Sequence, residues 1–124
     1  MTLLDTSVII DFLVGDPRIV ALMKELSKKE DVKTTTITEY ELLRHKAKIR
    51  KQAAERFLSG ATVYSFDREA AKEAAMLFEE LQDAGRMINE NDLLIAGISL
   101  AHDEVLLTRD QKLAGVGKDV IKTV

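Results

Sequence analysis

Asn89–Asp110, NENDLLIAGISLAHDEVLLTRD, decides the fold. Asn89 or Asn91 can cap a helix. Its body, Leu93–Ala101, is apolar nearly all round and therefore belongs against a sheet rather than in solvent. Gly97 in its middle would let it approach the strands closely. Val105–Thr108 is a short apolar run that reads as a buried strand, and Asp110 follows it. A buried helix feeding a buried strand is the repeating half of a parallel α/β sheet.

The same alternation extends outward. Leu3-Leu4 reads as a short first strand ending at Asp5, and a helix follows through Val14. Gly15 ends it, and Asp16-Pro17 starts the next helix as cap and first residue. There Ile19, Leu22, Met23 and Leu26 form one apolar face. The β-branched run Val32–Ile37 reads as a strand, and Thr38 as the cap of a helix reaching about Arg50, continued or kinked into a segment that stops at Gly60. Ala61–Ser65 is a third short strand. Asp67 caps a long helix to Ala84 with Ala70, Ala74, Leu77, Phe78 and Leu81 inward, and Gly85 closes it. A loop containing Gly115 and Gly117 leads to a last strand over Asp119–Val124. Strands alternating with helices imply one α/β domain over residues 1–124, a parallel sheet covered on both faces.

Composition narrows the class. With 124 residues, 46% of them hydrophobic, the chain can bury a core, and the formal charge of −3 does not by itself mark a nucleic-acid binder. There is no Cys, so disulfides and thiolate metal sites are excluded. His45 and His102 lack zinc-like spacing. MTLLDTSVIIDFLV has no basic leading segment and is interrupted by Asp5 and Asp11, so it is not read as a signal peptide. Leu93–Ala101 is too short to span a bilayer. A cytoplasmic protein without a membrane partner is the expectation.

Four acids carry the chemistry. Asp5, Glu41 and Asp110 follow the strand-like runs, and Asp92 opens the buried helix. Each has an ordinary explanation: Asp5 as a cap, Thr38-x-x-Glu41 and Asn89-x-x-Asp92 as capping boxes, Asp110 as a turn residue. Together they map to one rim of the sheet, outside the carboxyl ends of the strands, where α/β proteins place their sites. Asp16 and Asp67 are expected at the other rim. Four carboxylates brought together repel one another unless a cation neutralises them. Mg²⁺, with Mn²⁺ as the alternative, takes such oxygen ligands, and its common use is phosphate chemistry, with one ion or two. Ser7 and Thr108 stand beside Asp5 and Asp110 and can hydrogen-bond a water or a phosphate, or their own backbone. The densest positive run, Arg44 to Lys51, starts just after Glu41. Arg44, Lys46, Lys48, Arg50 and Lys51 are the candidates for contact with RNA, against the plain reading of a solvated helix face.

Four segments in this order resemble the PIN-domain ribonucleases, and in particular the VapC-type toxins of toxin–antitoxin pairs: LLDTSVIIDFL (3–13), TTTITEYELLR (34–44), INENDLLIAGISLA (88–101) and VLLTRD (105–110). The resemblance covers nearly the whole chain. It implies a three-layer α/β/α sandwich around a five-stranded parallel sheet. It also implies Mg²⁺- or Mn²⁺-dependent endonuclease activity on RNA, a VapB-type antitoxin as partner, and a homodimer. Asp5, Glu41, Asp92 and Asp110 match the four family acids, and Thr108 matches the hydroxyl residue before the last. Metal ligation would fall on Asp5 and Asp92, with Glu41 and Asp110 binding directly or through water. One departure is His45, where many relatives carry Gly.

Other readings stay open at this point. One is a PIN nuclease of RNA processing or decay without an antitoxin. Another is a Mg²⁺-binding signalling receiver, which would need Lys after the late strand, where Asp110 stands. A haloacid-dehalogenase-like phosphatase would need D-x-D, which Asp5-Thr6-Ser7 does not supply.

Overall fold

Leu3 and Leu4 are adjacent, both fully buried, and belong to opposite cores. Successive side chains of a strand point to opposite faces, so this pair alone implies a sheet covered on both sides. The computed structural model, which describes residues 1–44 and 51–124, has that architecture. Strand β1 (Thr2–Leu4) is followed by helices α1 (Thr6–Leu13) and α2 (Pro17–Lys29). Then come β2 (Lys33–Thr35), α3 (Thr36–Arg44), α4 (Lys51–Ser59), β3 (Thr62–Tyr64) and α5 (Arg68–Ala84). The chain ends with α6 (Glu90–His102), β4 (Val105–Thr108), α7 (Gln111–Ala114) and β5 (Ile121–Thr123).

All strand pairings are parallel. Strand β4 lies between β1 and β5, with Leu3 opposite Leu106, while β2 pairs with β3. The five strands are therefore present, but they form ladders of three and two, so the expected continuous five-stranded sheet is only partly realised. At the seam between β1 and β2, a side chain replaces a ladder bond: the Thr34 hydroxyl donates to the Leu4 carbonyl at 2.8 Å.

One core joins Leu3, Leu106 and Ile121 of the sheet to Leu77, Leu81, Leu93, Ile95 and Ile98 of α5 and α6. The other joins Leu4 to Val8, Ile9, Ile19, Met23, Leu42 and Leu58 of α1 to α4. Each fully buried Leu or Ile stabilises the fold by roughly 1.5–3 kcal/mol. On α5 the buried stripe is Ala70, Ala74, Leu77 and Leu81. Phe78, expected on that stripe, is 36% exposed, because it sits one residue, about 100°, round from Leu77.

Two local expectations fail for tertiary reasons. The β-branched run 32–37 is not one strand. It ends at Thr35, whose hydroxyl oxygen accepts the Thr38 amide at 3.1 Å and so caps α3 in place of Thr38. Gly97 is not a strand contact. A Cβ there would lie 2.7 Å from the Ala70 carbonyl oxygen and 2.8 Å from the Ala74 Cβ, so this glycine lets α6 cross α5. Gly97→Ala should lower stability by about 1–3 kcal/mol despite the better helix propensity of Ala, because backbone must move. Urea denaturation measures this, and an unchanged midpoint would show that the crossing yields easily.

The amino ends of the strands carry a buried ionic cluster. Lys33 bonds Glu30 at 3.0 Å and lies 3.7 Å from Glu104. The Tyr64 hydroxyl donates to Glu104 at 3.1 Å, and the Thr2 amide donates to Glu30 at 2.7 Å. This leaves the carboxyl ends for the four acids. Among the described residues no helix is long and apolar enough to cross a membrane.

Candidate active site

Asp5 directly follows β1. Its amide donates to the Leu107 carbonyl at 3.0 Å, which continues the β1–β4 pairing and fixes the carboxylate at the sheet's end. The side chain is 3% exposed. Oδ1 accepts the Thr6 amide at 2.7 Å, while Oδ2 accepts the hydroxyls of Thr108 at 2.6 Å and Ser7 at 2.9 Å. Burial pushes its pKa up, these hydrogen bonds pull it back, and the charge of Glu41 adds to the rise. Both hydroxyls are engaged within the protein, the local backbone bonding that was one of the two expectations for them. Ser7 also accepts the Arg109 amide and Thr108 the Asp110 amide, each at 2.9 Å, so both link Asp5 to the turn after β4.

Glu41 lies in the second turn of α3. It does not close a capping box on Thr38, since Thr35 has taken that amide. Instead Oε1 accepts the Thr6 hydroxyl at 2.6 Å, and Oε2 faces the Asn91 amide at 3.4 Å. The Thr6 hydroxyl also lies 2.9 Å from that of Thr38. Thr6 and Asn91 were not singled out by sequence reasoning as site residues. The available signal was position: each stands directly beside a candidate acid, Asp5 or Asp92.

Asp92 is on the first turn of α6, which Asn89 caps through the Asn91 amide. Its pKa is pushed up to about 7, first by burial and then by the charges of Asp5, Asp110 and Glu41, with the Asp110 carboxyl within hydrogen-bonding reach. Asp110 caps α7, a four-residue helix absent from the sequence reading, by accepting the Lys112 amide at 2.9 Å. The four acids thus come from four separate segments, and each of the other three acts on Asp92.

Arg109 stands next to Asp110 but turns away. Its guanidinium lies 3.3 Å from Asp11 and 3.9 Å from Asp16, pinning the α1–α2 corner to the turn after β4. Asp16 is therefore within reach of the carboxyl rim. Asp67 caps α5 just after the carboxyl end of β3, so neither acid serves the opposite rim as expected. In the basic run, Arg44 lies over the Tyr40 ring at 4.9 Å and Lys51 is exposed at the start of α4. Lys46, Lys48 and Arg50, together with His45, lie outside the described residues.

The donor set suits a hard divalent cation. All candidate ligands are oxygens, and burial together with the charges of the other three acids pushes Asp92 towards neutrality. Among the described residues, no group of three or more acids or histidines is drawn tightly enough to hold an ion as the side chains stand. An ion that takes only one or two carboxylates directly and keeps waters needs no tighter group. On Asp5, Oδ2 is filled by two hydroxyls, and the remaining acceptor capacity is on Oδ1.

A family model described as PIN domain matches residues 2–119. The curated ribonuclease VapC19 of Mycobacterium tuberculosis is 28% identical over 109 residues, 87% of either chain. The fold matches that of VapBC2 from Rickettsia felis bound to promoter DNA, with a TM-score of 0.80 and 22% identity over 98% of this chain and 97% of that one. It also matches DNA-bound VapBC from Salmonella typhimurium, with a TM-score of 0.79 and 22% identity over 99% and 96%. The resemblance read from the four sequence segments is borne out along the chain.

Proposed function

The chain belongs to the PIN-domain family, and from that premise we propose that it is a Mg²⁺-dependent endoribonuclease, the toxin of a toxin–antitoxin pair. The observation that carries the nuclease reading is Asp92: a carboxyl pushed up to about 7 first by burial and then by the charges of three other carboxyls brought in from separate segments. Such a cluster is costly to hold together and has an evident use once a cation is bound. The toxin reading, with a VapB-type antitoxin as partner, is supported by likeness to VapC19 and to the VapBC complexes; a homodimer and a cytoplasmic setting are part of the proposal.

In this reading Asp5 and Asp92 hold the cation, with Glu41 and Asp110 binding it directly or through water. The cation supplies Lewis-acid polarisation of the scissile phosphate and neutralises charge on the leaving oxygen. The chain's own residues do the rest. Thr6, Ser7 and Thr108 hold Asp5 rigid, leaving Oδ1 the freer acceptor. Thr6 and Asn91 hold Glu41 so that its carboxylate can accept a proton from the water attacking phosphorus in line. To hold the cation Asp92 would have to be ionised, so affinity for the cation should rise with pH.

Purified protein should cut defined single-stranded RNAs in Mg²⁺ or Mn²⁺. EDTA should reduce the rate at least about 10²-fold, and added Mg²⁺ should restore it. Cleavage that persists in EDTA after dialysis would remove the metal from the mechanism. Restored growth on co-expression of a short neighbouring reading frame tests the toxin assignment separately.

A further inference from the structure

We infer that the cavity between the α5–α6 connection and α7 is a second phosphate-binding subsite, which receives a backbone phosphate of the RNA beside the one being cut. The inference rests on the nuclease reading and adds to it a part of the substrate path built from other residues than the basic run of the sequence.

The cavity measures about 390 Å³ and is lined by Gly85, Arg86, Met87, Lys112, Gly115 and Val116. Its lining holds two cations and no carboxylate. Neither Arg86 nor Lys112 has an ion-pair partner among the described residues, a state they share with other surface cations such as Arg18, Lys24 and Lys122; what sets them apart is that both line one cavity. Glu80, on the neighbouring face of α5, is already engaged by Lys118 at 2.8 Å, a pair that also ties the segment after α7 to α5.

The backbone under both cations is held. Gly85 turns left-handed at φ 67°, which lets the Arg86 amide donate back to the Leu81 carbonyl at 2.8 Å. The Lys112 amide donates to the Asp110 carboxylate at 2.9 Å. The two walls are thus direct continuations of the site. One bears Asp110 and the other runs from Arg86 through the Asn89 cap to Asp92. A strand whose scissile phosphate lies at the acids must lead its flanking phosphates along such walls.

The plainer account is that each cation offsets the partial negative charge of a helix C-terminus. That account covers Arg86 or Lys112 singly, although α7 has only four residues and a correspondingly small dipole. It does not explain why both line one hollow that contains no anion. Two cations that line a cavity of this size can approach one phosphate from two sides.

The test measures binding of a labelled single-stranded oligoribonucleotide to the Asp92→Asn protein, followed by fluorescence anisotropy from 50 to 200 mM salt. Arg86 and Lys112 are exposed, so Arg86→Ala with Lys112→Ala should leave the circular dichroism spectrum unchanged. Affinity at low salt should fall about tenfold, and the slope of log K against log salt should shrink by about 0.7–1.4, the value for one or two phosphates on a single strand. The charge-keeping pair Arg86→Lys with Lys112→Arg should keep most of the slope. An unchanged slope in the alanine pair, an equal loss in the charge-keeping pair, or no RNA binding by the parent protein each overturns the subsite. A change of oligomeric mass with an unchanged slope also overturns it and makes the cavity a protein contact. Failure of the two readings is separable. Wild-type cleavage with an unaffected slope sinks the subsite alone. Slope loss in the pair without any wild-type cleavage sinks the nuclease reading and leaves a phosphate site.

Discussion

Asp92→Asn should lower RNA cleavage by about 10³-fold or more while making the metal-free protein harder to unfold. The two effects have one cause. Above about pH 7, where it is ionised, Asp92 adds charge to a place already occupied by Asp5, Glu41 and Asp110, and the stability gain belongs to that range. At an effective dielectric near 20, carboxylates a few ångströms apart repel by a few kcal/mol before screening, so an uncharged isostere relieves the cluster. The same charge would hold the cation, so relief and loss of activity arrive together, as is common where function requires a strained site. Asp5→Asn should also abolish cleavage, but without the gain in stability. Its two oxygens accept three hydrogen bonds, and an amide group must present N–H to donors at one of them. Single-turnover cleavage together with thermal unfolding distinguishes these outcomes. Wild-type cleavage by the Asp92→Asn protein at the same metal concentration would remove Asp92 from the mechanism.

The second large effect is on pH. In EDTA the thermal midpoint should fall as pH rises from 5 to 8. Asp92, at about 7 in the folded chain, keeps its proton over a range where the unfolded chain, near 3.8, has lost it. The folded state therefore binds more protons in that window. The stability this provides is fully present below the unfolded value and is lost as pH rises through the folded value. Asp5, also raised, contributes with the same sign. Glu30 has the opposite sign. Burial, which would raise its pKa, is outweighed by hydrogen bonds from Lys33 and Thr2, so it acts below about 4.5, outside the window. Saturating Mg²⁺ should shrink the fall by binding the deprotonated cluster, and Asp92→Asn should flatten most of it. A metal-free midpoint that rises over this range, or a slope that survives Asp92→Asn, would show that Asp92 does not hold its proton in the metal-free fold.

The comparison of sequence with structure divides by range. Caps and stripes were legible because their determinants lie within a few residues. Asp16 before Pro17, Asp67, Asn89 and Gly85 all stand where local chemistry puts them. The run 32–37 misled because β-branched residues suit a strand throughout. Only packing of α3 decides that the helix begins at Thr36 and that Thr35, not Thr38, is its cap. Gly97 was legible as a close approach but not as an approach to α5, because a sequence does not say which neighbour lies across a helix.

By itself the sequence determined the alternation of elements and the parallel α/β class, since hydrophobic period and capping chemistry act over one or two turns, and it offered four acids as candidates. Only the tertiary structure decided that the strands pair as three and two, that Thr6 and Asn91 hold Glu41, that Arg109 turns to Asp11 and Asp16, and that Arg86 and Lys112 share a hollow. These depend on contacts between residues tens of positions apart. Such contacts are set by how whole layers pack, and no local pattern encodes them.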